Sequence, residues 1–454
     1  MKKLVALLLA VMMLSVSVLA LAEAPEGYPE VQEGIDFGGQ TVSIYTWYDM
    51  NRAAEPTQEE QDLYDYQDWL MATYNVKIEY VNKYAWDGAD DDLINFTGNP
   101  DASVLCLYTF PNDFIATPMA NNLLAPLEGH IDVTADKWFA TTTEFMTKNG
   151  HVYGLFNGQP EVRECIYFNK RILEDAGIDW NTIYDMQAEG TWTWDAFEEL
   201  LKATQKDVDN DGVIDIWGMT GSRDDMVFAA VYGNDATFFD YDENGLMTVT
   251  AGSDNALEAL NWVSRIYDEY FFKGIPAEDG SVAWDYYKEA WKQGVSAFRA
   301  GQTWEGFNDV SEMDGMEDEW GCVAFPKGPK GTDYINLANN NIVVIPNVYD
   351  DETLAKLCFI YDQWTNPTPG YEDDEEAWIG NKYNKTDDRA VDETYAMLRQ
   401  ADHLLPNYQL LLGDKNELMG NSLLWQLGNG NDPAALVEAA TPAWQAVCDT
   451  FNGK

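Results

Sequence analysis

The chain has few histidines and no familiar catalytic motif. Only His130, His151 and His403 occur in 454 residues, and they are widely spaced. A histidine-rich zinc site or a Ser–His–Asp hydrolase therefore has little to build on. The sequence also has no P-loop, GxGxxG, GxSxG or HExxH motif, so nothing in it points to nucleotide binding or to zinc-dependent or serine-dependent hydrolysis.

Cysteine is scarce and irregularly spaced. The five cysteines are an odd number and contain no CxxC pair. Four lie in apolar strand-like or helix-like runs, and Cys322 opens another such run. We expect buried free thiols, with one long-range disulfide as the alternative. The five are Cys106, Cys165, Cys322, Cys358 and Cys448.

Basic residues are outnumbered almost three to one. Lys and Arg total 27 against 78 Asp and Glu, which gives a formal net charge of −51. Such a surface repels nucleic acid and anionic membranes, so we expect neither as a partner. A polyanionic ligand is also less expected, although a local arginine can override the global field. Because acids are so numerous, some carboxylate pair at glycosidase spacing is inevitable, and no pair can be nominated.

Long apolar runs are missing except at the amino terminus. Lys2 and Lys3 precede an apolar stretch from Leu4 to Leu21, and Ala20-Leu21-Ala22 supplies the small residues of a cleavage site. This pattern predicts a signal peptide over residues 1–22 and an exported protein. An uncleaved membrane anchor is the alternative, since such a run is borderline for spanning a bilayer. No cysteine follows the run, so a lipid anchor of the usual bacterial kind has no attachment point.

The remaining length favours two α/β domains. Strands are predicted at Thr41–Trp47, Val76–Val81 and Ala102–Leu107, with a helix capped by Thr57 after the first. This order is typical of a doubly wound lobe, in which ligands bind beyond the carboxyl ends of the strands. The residues placed there are Trp47, Tyr48, Asp49, Tyr108, Phe110 and Asn112.

The segment from Asn149 to Gly177 has two readings. Extended stretches flank a turn at Asn157–Pro160, and a helix follows from Asn169 to Gly177. This could be a hairpin inside one sheet or a crossover into a second lobe. Beyond it, Thr193 and Ser253 are predicted helix N-caps. Further strands are predicted at Gly294–Gly301, Trp320–Pro326 and Asn341–Pro346, and a loop at Asn366–Arg389.

One acidic loop matches the spacing of a calcium site. Oxygen side chains stand at positions 1, 3, 5 and 9, a glycine at position 6, and a residue that offers its carbonyl at position 7. Gly218 stands at position 12, where an EF-hand has a bidentate glutamate, so a modest affinity and a structural role are expected. The alternative is an acidic turn without metal. The candidate ligands are Asp207, Asp209, Asp211, Val213 and Asp215. A similar run, Asp240–Gly245, is better explained as a hairpin turn.

The aromatic content is high, with 17 Trp and 25 Tyr. Most of these residues fit the buried faces of helices. Trp47, Tyr48, Tyr108, Phe110 and Trp304 fall at predicted loop positions past strand ends. Aromatic rings there can stack on sugar rings while Asp, Asn and Arg bind the hydroxyl groups. Core packing is an equally good explanation for any one of them.

An ordered set of motifs resembles a known family. The set is NNLLAPLEG, NGHVYGLF, IYFNKRILEDAGID, TWTWDAFEELLKAT with DVDNDGVIDIWGM, WKQGVSAFRAG and WGCVAFPKGPKG. In this order it resembles the family 1 extracellular solute-binding proteins of ABC transporters, which are maltose-binding-protein-like sugar receptors. The resemblance runs from about Thr41 to the carboxyl terminus.

The resemblance implies a two-lobed periplasmic-binding-protein-like class II α/β fold, with hinge strands between two doubly wound lobes. The first lobe would comprise residues 37–157 and 334–392, and the second 158–333 and 393–454. Crossings would fall near Phe156–Val162, Gly331–Asn336 and Asp388–Thr394. The residues whose positions resemble ligand-binding positions of the family are Trp47, Asp49, Tyr108, Phe110, Glu161, Arg163, Arg223, Asp224, Trp304, Asn340 and Trp425.

The implied function is an extracytoplasmic receptor, with no catalytic activity, that binds a sugar or oligosaccharide between its lobes. A monomer that delivers its ligand to the permease subunits of an ABC importer is expected, periplasmic or at the cell surface. A secreted carbohydrate-active enzyme fits the aromatic and acidic residues too. A non-transport adhesion or sensor module is a further alternative, and a peptide ligand remains open.

Overall fold

A computed structural model describes residues 24–158, 160–307, 310–371, 386–414, 416–428 and 430–454. The predicted signal peptide and most of the predicted loop at Asn366–Arg389 lie outside these residues. Within the described ranges, no helix combines the length and the apolar character needed to cross a membrane.

The strands form two four-stranded sheets and three two-stranded pairs. In chain order they are β1 Thr41–Thr46, β2 Lys77–Asn82, β3 Leu105–Pro111, β4 Thr147–Lys148, β5 His151–Val152, β6 Glu164–Asn169, β7 Trp217–Gly221, β8 Phe239–Tyr241, β9 Met247–Val249, β10 Ser296–Gln302, β11 Trp320–Ala324, β12 Asn336–Leu337, β13 Asn341–Val344 and β14 Leu404–Leu405.

The α-helices cover the faces of the sheets. They are α1 Gln58–Thr73, α2 Ala89–Gly98, α3 Ala116–Ala120, α4 Ala140–Phe145, α5 Lys170–Asp175, α6 Asn181–Ala188, α7 Trp194–Thr204, α8 Arg223–Tyr232, α9 Asp254–Tyr270, α10 Tyr286–Lys292, α11 Asp351–Trp364, α12 Ala396–Leu398 and α13 Pro433–Phe451. Short helical turns at Asn112–Phe114 and Thr303–Gly306 follow β3 and β10 directly.

The predicted helix caps are present. Thr57 and Glu60 form a reciprocal capping box at the start of α1. Thr193 accepts a hydrogen bond from the Ala196 amide, and Ser253 accepts one from Ala256. Each satisfies an amide that the first helical turn leaves without an intrahelical partner. The hairpin predicted at Asp240–Gly245 is also confirmed, since β8 and β9 pair on either side of it.

The first sheet has the strand order β13-β3-β1-β2. Both β2 and β3 pair with β1 in parallel, and β13 is antiparallel to β3. The predicted third strand begins later and runs further than expected, from Leu105 to Pro111, and every residue in it is buried. Tyr108 and Phe110 therefore belong to the core, and the prediction that they bind ligand is wrong. The Tyr108 hydroxyl donates a hydrogen bond to Asp92 at 2.8 Å.

The second sheet has the order β11-β6-β10-β7. Its central strands are fully buried: β6 over its whole length and β10 up to Gly301. Arg299 of β10 is buried with them and is neutralised by Glu305 at 2.8 Å. Because β6 lies in this second sheet, the Asn149–Gly177 segment is a crossover between sheets and not a hairpin within one.

Two connecting segments run side by side between the sheets. Leu155 bridges Val343, and Val162 bridges Ala338, both antiparallel. The Asn339 amide donates to the Glu161 carbonyl at 3.1 Å. These contacts give the hinge strands of a two-lobed fold.

The predicted division at residue 392 needs correction at one point. Asp387 accepts hydrogen bonds from the Tyr184 hydroxyl and forms an ion pair with Lys170. Tyr184 and Lys170 both lie in the second lobe. Ala390 is buried in the same cluster. The chain has therefore reached the second lobe by residue 387, because these buried contacts tie it there. The other domain boundaries stay predictions.

All five cysteines are buried and free, which confirms the expected state. Burial raises the pKa of the Cys106 and Cys358 thiols to about 12 and that of Cys448 to about 11. A thiol is a nucleophile only as the thiolate, so these three groups are chemically inert near neutral pH.

The close approach of β7 to β10 gives a stability prediction. Gly221 has φ +133°, and a Cβ there would lie 2.0 Å from the Ala300 carbonyl oxygen. We expect Gly221→Ala to lower the free energy of unfolding by about 3 kcal/mol or more, since backbone strain and overlap add. Gly245→Ala is the matched control, because Gly245 has φ +73° with open space around it. It should cost only about 1–2 kcal/mol. Equal losses in guanidinium denaturation would contradict the close approach.

Candidate ligand-binding cleft

A cavity of about 340 Å³ lies between the two sheets. The first lobe, both connecting segments and the second lobe all contribute to its walls. Aromatic faces alternate with amides and charged groups, which is typical of a site for a polar small molecule. The lining residues are Trp47, Trp86, Pro111, Asn112, Asp113, Glu161, Arg163, Trp304, Phe307, Asn339 and Asn341.

A second cavity of about 740 Å³ adjoins the first on the side of the second lobe. Trp304 lines both cavities, so the two spaces lie on either side of this residue in one cleft. The wall of the larger cavity includes aromatic residues, the start of α8 and several charged groups. Among its lining residues are Arg223, Asp224, Asp225, Tyr267, Trp284, Tyr286, Gln302 and Trp425.

The side chain of Gln302 fixes the centre of the cleft. Its Oε1 accepts hydrogen bonds from Arg163 Nη1 and Trp304 Nε1, each at 2.6 Å. Its Nε2 donates to Asp225 Oδ1 at 2.9 Å. The Gln302 side-chain amide is therefore hydrogen-bonded to the Arg163 guanidinium, the Asp225 carboxylate and the Trp304 indole at the same time. Since both ends of the amide are used, the orientation of the Trp304 ring is determined by the body of the second lobe.

Arg163 also reaches across the cleft. Its Nη2 lies 3.6 Å from Asp113 Oδ2, and both side chains keep about a fifth of their surface exposed. Asp113 follows β3 of the first lobe, whereas the Arg163 carbonyl accepts a hydrogen bond from the Thr303 amide of the second. This ion pair joins the two lobes at the floor of the smaller cavity.

Two buried polar atoms of the cleft wall have no partner among the residues that the structure describes. They are the indole nitrogen of Trp47 and the side-chain oxygen of Asn112. A buried polar group without a hydrogen bond costs about 1–3 kcal/mol. A sugar hydroxyl both donates and accepts, so it could satisfy either atom.

The larger cavity rests on a buried ion pair. Glu305 forms an ion pair with Arg299 at 2.8 Å and accepts a hydrogen bond from the backbone N–H of Gln302 at 3.1 Å. Burial raises the pKa of the Glu305 carboxyl, while Arg299 opposes that rise. Asp225 lines the same cavity. A carboxyl group with a raised pKa beside a second carboxylate is also what a glycosidase would show.

Most of the predicted ligand-binding residues meet in this cleft. Trp47, Glu161, Arg163 and Trp304 line the smaller cavity. Arg223, Asp224 and Trp425 line the larger one.

Two further predictions need correction. Asn340 uses its side chain inside the hinge, where it accepts from the Glu161 amide and donates to Thr142. Its neighbours Asn339 and Asn341 line the cleft instead. Asp49 is exposed, its carboxylate accepts the Asn51 backbone amide at 3.0 Å, and it is not among the residues that line either cavity.

The sequence reasoning missed several cleft residues. Trp86, Asp113, Asn339, Asn341 and Gln302 were not proposed as ligand-binding residues. The run Asn339-Asn340-Asn341 before a strand was an available signal, because amides at a strand entrance are common hydrogen-bonding groups. Nothing local distinguished Gln302 from an ordinary strand residue.

The acidic loop brings three of its carboxylates together. Asp207, Asp209 and Asp215 each offer an oxygen, and these oxygens lie within 4.8 Å of one another. Gly212, at φ +92°, makes the turn, and its amide donates to Asp207. Asp211 stands apart from this group, and its carboxylate accepts the Val213 amide at 2.8 Å. The donor set and the turn fit a calcium ion with oxygen ligands.

Two lobes joined by paired segments, with a polar and aromatic cleft between them, define a two-domain solute-binding fold. Solved structures share it. The cyclic alpha-maltosyl-1,6-maltose binding protein of Arthrobacter globiformis has a TM-score of 0.61 at 13% identity, over 90% of this chain and 98% of that one. The maltose-binding periplasmic protein of Listeria monocytogenes has a TM-score of 0.59 at 15% identity, over 92% and 99%.

No protein-family model matches the chain. A curated relative, the arabinooligosaccharide-binding protein of Halalkalibacterium halodurans, is 24% identical over 286 residues. That match spans 61% of this chain and 58% of the relative, so less than two thirds of the relative's length is matched. The resemblance read from the motifs is confirmed at this level, since these similar proteins are sugar-binding proteins and the fold is theirs.

The Gln302 contacts give a prediction for the stability of the second lobe. We expect Gln302→Met to lower the free energy of unfolding by about 2 kcal/mol, because hydrogen bonds to charged groups contribute about 1.5–3 kcal/mol and these are partly exposed. Gln293→Met is the control, since Gln293 is exposed and its side-chain amide donates to Glu289 one helical turn away. It should change the stability by less than about 0.5 kcal/mol. Indistinguishable variants would mean that the contacts are not made in solution.

Proposed function

We propose that the protein is an extracytoplasmic receptor that captures a sugar or oligosaccharide in the interlobe cleft. The observation that carries this proposal is the composition of the cleft wall. Aromatic rings from both lobes line a space to which the two connecting segments add the amides of Asn339 and Asn341 and the charged groups of Glu161 and Arg163. Rings stack on the C–H faces of sugars, and the polar groups bind hydroxyls.

Binding would work by closure of the lobes around the ligand. A ligand that touches both lobes favours the closed form only by its greater affinity for that form. Arg163 and Asp113 already meet across the floor. A sugar hydroxyl between them would form hydrogen bonds to both charged groups and so favour closure.

The partners and location follow the same proposal. The receptor would act as a monomer and deliver its ligand to the permease subunits of an ABC importer. The leader at residues 1–22 would export it. An adhesion or sensor module would bind the same ligand but engage another partner, and a pull-down with the permease would separate the two.

The first test is a thermal-shift screen with neutral mono- and oligosaccharides. A ligand at about 100 times its Kd adds roughly 2.7 kcal/mol to the stability of the folded state, so a clear rise in Tm is expected. No shift across a broad panel would count against the sugar-receptor function.

The second part of this test uses the ring between the cavities. Trp304→Ala should weaken binding of the sugar that gives the largest shift by about tenfold or more, because central aromatic residues are typical hot spots. Trp69→Ala is the control: Trp69 is also half-buried but packs on Tyr28 and Tyr66, outside the cleft. Unchanged affinity in Trp304→Ala by titration calorimetry would remove this ring from the site.

A carbohydrate-active enzyme is the second candidate function, since Glu305 has a raised pKa and Asp225 lines the same cavity. The contacts of Glu305 favour a structural role, because its carboxylate is already paired with Arg299 and hydrogen-bonded to the backbone N–H of Gln302. Release of reducing ends from the bound oligosaccharide, lost in Glu305→Gln, would establish the enzyme instead.

We also propose that the Asp207–Asp215 loop binds a structural calcium ion. Asp207, Asp209 and Asp215 would supply carboxylate oxygens and Val213 its carbonyl, with Asp211 turning inward from its present contact. The convergence of three carboxylates supports this, since they repel one another without a cation.

Calcium should therefore raise the Tm, and EDTA should reverse the rise. Asp209→Asn should lose the response, while Asp242→Asn in the β8–β9 hairpin should keep it. A calcium response equal in all three proteins would place the ion elsewhere, and no response in the parent protein would leave an acidic turn without metal.

A further inference from the structure

We propose that the larger cavity beyond Trp304 is a subsite for the carboxylate of a uronic acid, with Arg223 as its receptor. This inference rests on the proposed sugar-binding function and specifies its ligand: an oligosaccharide that carries one acidic sugar. Among the residues that the structure describes, Arg223 on this wall has no carboxylate partner, and it lies in the same cleft as Trp304.

Arg223 is the first residue of α8 and lines the larger cavity. Its Nη1 donates to the Leu427 carbonyl at 2.9 Å, and its guanidinium lies over the Tyr267 ring at 4.7 Å. These two contacts fix the plane of the group. Its Nε is buried without a hydrogen-bond partner in the described part of the chain. The side chain is therefore positioned but not fully satisfied.

No carboxylate within the described residues lies within 4.0 Å of the Arg223 guanidinium. This is unexpected in a chain with 78 acidic and 27 basic residues. The two lysines of the same cavity do have partners: Lys273 pairs with Asp268 at 3.1 Å, and Lys288 pairs with Glu312 at 2.6 Å. In so acidic a chain, an arginine that lines a cavity without a carboxylate partner among the described residues is available to an anionic ligand.

The backbone adds a second favourable contribution. α8 has ten residues and begins at the cavity wall, where Gly221 and Ser222 are also lining residues. The amino-terminal end of a helix carries a partial positive charge and favours an anion, although Asp224 and Asp225 in the first turn of α8 already offset part of that charge. Arginine binds a carboxylate through two parallel hydrogen bonds, which gives orientation as well as affinity.

The acidic residues of the wall limit the ligand to a single charge. Asp224, Asp225 and Glu305 all line the cavity. Asp225 is hydrogen-bonded to Gln302, and Glu305 is neutralised by Arg299. Three carboxyl groups on one wall still make the cavity unfavourable for a ligand with several negative charges. With the net charge of −51, this disfavours a polyuronate. An otherwise neutral oligosaccharide with one uronic acid fits best, its neutral rings near Trp304.

The test compares each acidic oligosaccharide with its own methyl ester, which keeps the size and removes the charge. Xylo-oligosaccharides bearing one glucuronic acid, and disaccharides to tetrasaccharides ending in galacturonic acid, would be titrated by calorimetry. We expect at least one acid to bind tenfold or more tightly than its ester, with an affinity that falls as salt is raised. Arg223→Gln should abolish this preference, so that the acid and its ester bind this variant with equal affinity.

Arg223→Lys should keep part of the preference, because the charge remains while the paired geometry is lost. Arg52→Gln is the control, since Arg52 pairs with Asp68 on the first lobe and lies outside both cavities. Equal binding of acid and ester by the parent protein, or a preference that survives in Arg223→Gln, would overturn the inference. If neutral sugars bind and no acid binds better, only this inference fails. If neither class binds, the sugar-receptor function fails with it.

Discussion

The antiparallel pairing of the two connecting segments is the contact on which the site depends. Side chains alternate across a paired strand, so every second residue points the same way. Glu161 and Arg163 on one segment and Asn339 and Asn341 on the other line the cleft. Val162, Ala338 and Asn340 between them are buried on the opposite side. A shift of one residue in this register would turn Val162 and Ala338 into the cleft and remove Glu161, Arg163 and Asn339 from it.

The same alternation explains what the sequence could and could not predict. Capping residues, the apolar strands and the acidic loop are local patterns, and Thr57, Thr193 and Ser253 cap their helices as expected. The choice of Asn340 was wrong by one position, because the face of a hinge strand is decided by its partner strand. Tyr108 and Phe110 failed for a related reason: β3 continues to Pro111, and only the pairing with β13 shows where it ends. The Gln302 contacts join residues from β10, α8 and the hinge, and no local pattern could bring those together.

Buried charge in this acidic chain is organised around the cleft. Arg299 is fully buried and is balanced by Glu305, whose carboxylate also accepts the Gln302 amide. Removing one partner of such a pair would leave an uncompensated charge at a cost of several kcal/mol. The turn that carries Trp304 is therefore held on both sides, by the contacts of Gln302 before it and of Glu305 after it. A rigid ring loses little conformational entropy on binding, so more of the stacking energy is available to a ligand.

The contacts between the lobes differ in strength from front to back, which sets the direction of any opening motion. At the cleft, Arg163 and Asp113 are 3.6 Å apart and partly exposed. Such pairs typically contribute about 0–1 kcal/mol, so a ligand or water can displace this contact easily. Elsewhere between the lobes, the Tyr408 hydroxyl of the second lobe donates to Glu144 of the first at 2.7 Å in a partly buried site. A hydrogen bond to a charged group in such a site costs more to break, because its groups would be left unsatisfied. The lobes would therefore separate at the cleft and pivot about the back, which exposes Trp47 and Trp304 to solvent while the paired segments stay intact.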